Sequence, residues 1–197
     1  MRRLVTFGDS FTYGHYLPDH LTQSWPAVLA SKLNYELVNK AVCGSSNIEI
    51  LAEILTFNFQ PSDLVIIGWT FIERDIIFQK QTLLGRIFNR HEHIRIQAWQ
   101  DSAESLQYIN LHSDFDMAVR SGLYVHHAEL HLQLAGVEQH HIYTQNRNTK
   151  PEYFCKPKYF IKNFKFVRID KALDNSHPGI ESHNQTANKL FTKLNEH

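Results

Sequence analysis

The chain has 197 residues, 43% of them hydrophobic, enough for one domain with a sizeable apolar core. Lys and Arg together number 20, as do Asp and Glu, so the formal net charge is +0 and there is no basic footprint for a nucleic-acid or anionic-membrane partner. Cys43 and Cys155 are too few for a disulfide framework, and no apolar stretch is long enough for a signal segment or a span, so reduced thiols and a cytoplasmic location are expected.

In chain order, Leu4-Val5-Thr6-Phe7 is a β-branched and aromatic run ending in glycine, the pattern of a buried strand with a sharp turn at its tip. Gly8-Asp9-Ser10-Phe11-Thr12-Tyr13-Gly14 follows. Small residues around Ser10 permit a tight strand-to-helix turn that presents the hydroxyl to an open cleft. Ser24-Trp25-Pro26 starts a helix through Leu33, with a capping serine and a proline tolerated in the first turn. Tyr35 to Val38 is a second strand. It leads through Asn39-Lys40-Ala41-Val42-Cys43-Gly44-Ser45 to Ser46-x-x-Glu49, a capping box that opens a helix to about Phe57. A third strand, Asp63 to Ile67, runs into Gly68-Trp69-Thr70-Phe71, after which Glu73 and Arg74 read either as a charged pair at the cleft rim or, more simply, as a solvated helix start with Asp75 adding favourable charge in the first turn.

From about 75 to 114 lies an insertion, expected to cap the cleft, in which Ile94 to Trp99 alternates like a short strand. A longer helix follows, with Phe115, Val119, Leu123, Leu130 and Leu134 at spacings of four and seven and Gly136 as its stop. His140 to Thr144 is the next strand, Gln145 to Asn163 an ordered loop, and Phe164 to Ile169 a candidate fifth strand. The last helix carries Ile180, Ala187, Leu190, Phe191 and Leu194 on one face. Such alternation favours a mostly parallel sheet between helical layers, with ligands at the carboxyl ends of the strands. Trp69, Trp99, Tyr143 and Phe154 are candidates for a binding wall, although cover for the core is the simpler reading of each.

Chemistry concentrates at the two ends. In Leu173-Asp174-Asn175-Ser176-His177-Pro178-Gly179 an Asp stands three residues before a His. Its carboxylate can accept the Nδ1 proton and aim Nε2 at a serine, which makes a general base. Taken singly, the two residues read as an Asx turn and a surface histidine. Thirteen histidines invite a metal reading, with His91-x-His93, His126-His127, His131 and His140-His141. The acidic partner of a zinc-binding helix is missing at His127 and His131, and no carboxylate or cysteine stands at ligand spacing, so no metal is expected. His15 and His20 lie close to Ser10 in sequence but lack a carboxylate at the orienting offset.

Gly8-Asp9-Ser10-Phe11 and Asp174-x-x-His177-Pro178 resemble the first and last motifs of the SGNH/GDSL hydrolase family, in that family's order, and the likeness spans nearly the whole chain. Asn39 to Asn47 is similar to the second block, with Gly44 at the glycine whose N–H points into an oxyanion hole. The third block departs: where the family shows Gly-x-Asn-Asp, this chain has Gly68-Trp69-Thr70-Phe71, a hydroxyl in place of an amide. The resemblance implies a single α/β domain over residues 1–197, a three-layer α/β/α sandwich with a mostly parallel, flavodoxin-like sheet. It implies a Ser10-His177-Asp174 triad, oxyanion donors at Ser10, Gly44 and Thr70, and substrate contacts at Asp9, Trp69 and Tyr143. Hydrolysis of a carboxylic ester through an acyl-enzyme, without cofactor or metal, is the implied activity. The expected partner is a small-molecule ester, an acetylated carbohydrate by preference given the neutral surface, and a divergent, phage-encoded branch is a further expectation. Two alternatives stay open, a weakened binding or structural module that keeps the fold and an acyltransferase using the same serine; the oligomeric state is open too.

Overall fold

The computed structural model describes residues 1–78, 93–96, 102–144 and 158–196. Its centre is a four-stranded parallel sheet in the order β2 (Glu36–Asn39), β1 (Arg3–Gly8), β3 (Leu64–Trp69), β6 (Glu138–Tyr143). Strands β1 and β3 pair from Leu4 with Leu64 to Gly8 with Gly68, which brings both strand tips level. Every residue of β3 is buried, as is all of β1 beyond Arg3, and strands covered on both faces read as continuous apolar runs.

Successive side chains point to opposite faces, and each face has its own helical layer. Val5, Phe7, Val65, Ile67 and Trp69 pack with Ile50 and Ile54 of α4 (Asn47–Thr56) and with Val125, Ala128 and Leu132 of α6 (Asp114–Leu134). Leu4, Leu64 and Ile66 pack with Trp25 and Leu29 of α3 (Trp25–Leu33) and with Ala187 and Leu190 of α7 (Ile180–Leu194). The expected α/β/α sandwich is therefore present. Two short helices, α1 (Ser10–Tyr13) and α2 (His20–Gln23), link β1 to α3. The expected capping box forms: Ser46 accepts from the Glu49 N–H and the Glu49 side chain accepts from the Ser46 N–H.

The inserted segment contributes an antiparallel pair, β4 (Asp75–Phe78) with β5 (His93–Ile96), and the helix α5 (Ala103–Leu111). Its own small core joins Ile72, Ile96 and Tyr108 to Met117 and Ala118 of α6. There Asp75, expected to open a helix, instead starts β4, accepts the hydroxyl proton of Tyr108 and lies 3.5 Å from Arg120.

Two expectations give way. The long apolar side chains of α6 do not mark its inner face: Phe115, Leu123, Leu130 and Leu134 are all exposed. The buried stripe runs through Ala118, Ser121, Gly122, Val125, Ala128 and Leu132, smaller residues that let the helix approach the sheet and α4 closely. Phe164 to Ile169 is not a strand. The N–H groups of Val167, Ile169 and Asp170 donate to the hydroxyls of Thr186 and Ser182 on α7, at 3.0 to 3.1 Å, so this backbone finds its partners on a helix and not on the sheet. Among the described residues, the outer edge of β6 is met by a bridge, His141 with Phe160.

Candidate active site

Ser10 is placed by the tip of β1. The Asp9 carboxylate caps α1 by accepting the Phe11 N–H at 3.0 Å, which holds the turn that carries the serine. A Cβ on Gly8 would fall 2.3 Å from Thr12 Oγ1 and 3.0 Å from the Gly68 carbonyl oxygen, so only glycine lets α1 fold back this tightly.

The loop before α7 delivers the other residues. His177 Nε2 lies 3.1 Å from Ser10 Oγ, and His177 Nδ1 lies 2.6 Å from Asp174 Oδ2. The remaining Asp174 oxygen accepts the N–H groups of Ser176 and His177 at 3.1 and 3.0 Å, an Asx turn, so one carboxylate contacts both the turn backbone and the imidazole. Burial would raise the Asp174 pKa, but the imidazole and the two N–H donors outweigh it and push the carboxyl down to about 2. It is ionised at neutral pH. Around His177 stand the rings of Phe11, His15 and Tyr16, with centroids 5.6, 5.3 and 5.4 Å away. Burial, helped by the neighbouring His177, lowers the His15 pKa against an opposing pull from Asp174.

Gly44 comes from the loop after β2, which folds onto the tip of β1: Lys40 N–H donates to the Thr6 carbonyl at 2.7 Å and Val42 N–H to that of Gly8 at 3.0 Å. Gly44 has φ +79°, a conformation that side chains disfavour. Among the described residues, the N–H groups of Ser10 and Gly44 donate to no protein acceptor.

Thr70 departs from expectation. Its hydroxyl donates to Asp9 Oδ2 at 2.7 Å and accepts from Arg74 Nη1 at 2.9 Å, while its N–H donates to Asn47 Oδ1 at 2.9 Å. A hydroxyl has one proton, and this one is committed to Asp9, so Thr70 is not an oxyanion donor in this arrangement. The Asn47 amide is engaged too, donating to the Thr70 carbonyl and to Ser121 Oγ.

Asp9 and Trp69, expected against substrate, are wholly buried. Asp9 pairs with Arg74 at 3.0 Å, and the Trp69 indole donates to His141 Nδ1 at 3.2 Å within the core. Tyr143 is half-buried and packs on Phe160; Trp99 and Phe154 lie outside the described residues. Sequence reasoning missed Arg74, which is no solvated residue: its side chain is 8% exposed. Burial lowers the pKa of its guanidinium, and Asp9 works against that. The available signal was an arginine four positions after Thr70, together with an aspartate beside the serine that needed a counter-charge. Among the described residues no group of three or more His, Cys, Asp or Glu could hold a metal ion, and no helix is long and apolar enough to cross a membrane.

The sequence matches no protein-family model and no curated protein. Its fold is that of solved SGNH/GDSL hydrolases. A G-D-S-L family protein from Desulfitobacterium hafniense superposes with a TM-score of 0.50 at 13% identity, over 98% of this chain and 99% of the other. A carbohydrate esterase whose active site is described as having divergent catalytic and non-catalytic binding functions gives 0.56 at 13% identity, over 100% and 65%. The lipase Lip_vut3 from a goat rumen metagenome gives 0.55 at 12%, over 98% and 97%.

Proposed function

We propose that the protein is a serine-dependent hydrolase of carboxylic esters. The observation that carries this reading is the row of hydrogen bonds from Asp174 through His177 to Ser10, at 2.6 and 3.1 Å. An ionised carboxylate on Nδ1 keeps that nitrogen protonated and leaves Nε2 as the base. His177 takes the Ser10 proton as Oγ attacks the acyl carbon, and the charge on the carbonyl oxygen is met by the N–H groups of Ser10 and Gly44. His177 then protonates the leaving alcohol. Water, deprotonated by the same imidazole, attacks the acyl carbon, and the imidazolium returns that proton to Ser10 Oγ as the C–O bond breaks and the acid leaves.

An acetylated saccharide is the first substrate to try, by analogy with the carbohydrate esterase of the same fold. One observation favours a second reading, a binding module of reduced activity: with the Thr70 proton held by Asp9, two donors remain where three were expected. Both readings face one experiment. A fluorophosphonate probe should label the protein rapidly at Ser10, and an ester panel of acetylated saccharides, aryl esters and acyl thioesters should show turnover that Ser10→Ala abolishes. Saccharide binding without labelling or turnover would favour the module. Product that forms only with an added acceptor alcohol would mean transfer and not hydrolysis.

A further inference from the structure

We infer that the inserted segment and the residue leading into it hold the oxyanion loop in register, with Arg95 and Arg74 as positioning residues for the Gly44 N–H. The inference rests on the hydrolase reading above. Gly44 sits between two carbonyl groups that are both gripped from outside the loop: Cys43 O accepts from Arg95 Nη1 of the insertion and Ser45 O from Arg74 Nη1 just before it, each at 3.4 Å. The same Arg74 nitrogen reaches Asp9 Oδ2 at 3.0 Å and Thr70 Oγ1 at 2.9 Å. Asp9 precedes Ser10 and Ser45 follows Gly44, so one guanidinium ties the residue before one proposed donor to the residue after the other. Arg95 is itself anchored: its Nε donates to Glu49 Oε1 at 2.9 Å, and the other Glu49 oxygen accepts the Ser46 N–H at 2.9 Å.

The physical need for such a grip is specific to this chain. Gly44 has no side chain to fix its own orientation, and an oxyanion donor is effective only when it is aimed beforehand. With the Thr70 hydroxyl committed to Asp9, the hole depends on two N–H groups, and misalignment of either removes a larger share of the stabilisation. The 3.4 Å contacts are individually long, but each donor is a cation and two act on one three-residue loop. Arg74 also balances the buried Asp9, which is a structural role. That role predicts a loss of melting temperature; positioning predicts a loss of kcat in protein that remains folded.

Arg95→Ala, Arg74→Lys and Arg74→Gln separate the two roles, with kcat and KM on an aryl acetate, the rate of fluorophosphonate labelling and thermal melting measured for each. Arg95 is 39% exposed at its side chain, so its removal should leave melting nearly unchanged. The expected result is a fall in kcat of about 10-fold for Arg95→Ala and about 100-fold for Arg74→Gln, with KM within twofold and Arg74→Lys in between. If Arg74→Gln fails to fold, Arg95→Ala and Arg74→Lys still decide. Wild-type kcat and labelling rate in both of these folded variants, or a loss confined to KM, would overturn the inference alone. A wild-type protein that no probe labels at Ser10 would overturn the hydrolase reading and this inference together.

Discussion

The two arms of the site are built in different ways. The base arm is local: Asp174 and His177 share one Asx turn, and a single loop places both. The proposed oxyanion arm is assembled from distant parts, with Asp9 and Ser10 at the tip of β1, Gly44 after β2, Thr70 and Arg74 after β3, and Arg95 from the insertion. A local device tolerates divergence of the rest of the chain, because its geometry travels with a few consecutive residues. The assembled arm can exchange parts, and here the Thr70 hydroxyl, the Asp9 carboxylate and the Arg74 guanidinium bond to one another.

The largest effect should come from cutting the base arm. His177→Ala should lower kcat by about 10⁴-fold or more, with the melting curve little changed. A variant that keeps a tenth of wild-type turnover would remove this arm from the chemistry. Asp174→Asn should lower kcat by roughly 10³- to 10⁴-fold, because the amide no longer fixes the imidazole tautomer. Loss of the Asx turn would show separately, as lower stability.

The assembled arm should fail first as structure. Asp9→Ala removes the buried carboxylate to which both Arg74 and Thr70 bond, and should lower stability by about 3–5 kcal/mol in denaturant titration. Asp9→Asn with Arg74→Gln should recover much of that stability but not the activity. If the single variant costs under about 1 kcal/mol, the pair is not what holds this arm together.

Each arm also rests on a buried neutral histidine, and acid tests both. His183, on α7 behind the base arm, accepts the Trp25 N–H at 3.0 Å; burial, with help from His177 and against Asp170, pushes its pKa down to about 4. His141, under Trp69, is pushed down to about 3, chiefly by burial. Above pH 6.5 each is neutral in the folded and the unfolded chain and costs nothing. As pH falls below 6.5 the unfolded chain takes up protons that the folded chain refuses, so stability is lost until the folded pKa is reached. For His183 that amounts to about 3 kcal/mol between pH 6.5 and 4. Melting temperatures that stay flat across this window would show that neither histidine is buried neutral. His183→Gln should lessen the slope. The smallest effect is expected from Thr70→Asn: an amide can replace both contacts of the hydroxyl to Asp9 and Arg74, so kcat should change by less than about 10-fold, and a larger gain would reveal a vacant third-donor position.

What could be read from the residues divides along the same line. Strands β1 and β3, the capping box at Ser46 and the Asp174–His177 turn were legible because short apolar runs, caps and i,i+3 pairs are local signals. The role of Arg74 was not, since a charged residue after a strand looks solvated until the fold brings Asp9 to it from 65 positions away. The inner face of α6 differs from the expected apolar spacing for a related reason: close packing against the sheet selects Ala118, Ser121, Gly122 and Ala128. At 164–169 the apolar character was real and Phe166 is in the core, but the hydroxyls of Ser182 and Thr186 compete for its backbone.

That last competition shapes how the molecule meets its own kind. Beside β6, the His141 N–H donates to the Tyr159 carbonyl at 2.9 Å and the Ile161 N–H to that of His141 at 3.0 Å, so a few residues of irregular backbone occupy the groups through which a second polypeptide would dock in β-augmentation. The opposite border is β2, only four residues long and followed by Lys40, a poor template for the same event. A sheet with its margins closed in this way should remain dispersed at concentrations where an exposed apolar border would seed fibrous aggregates.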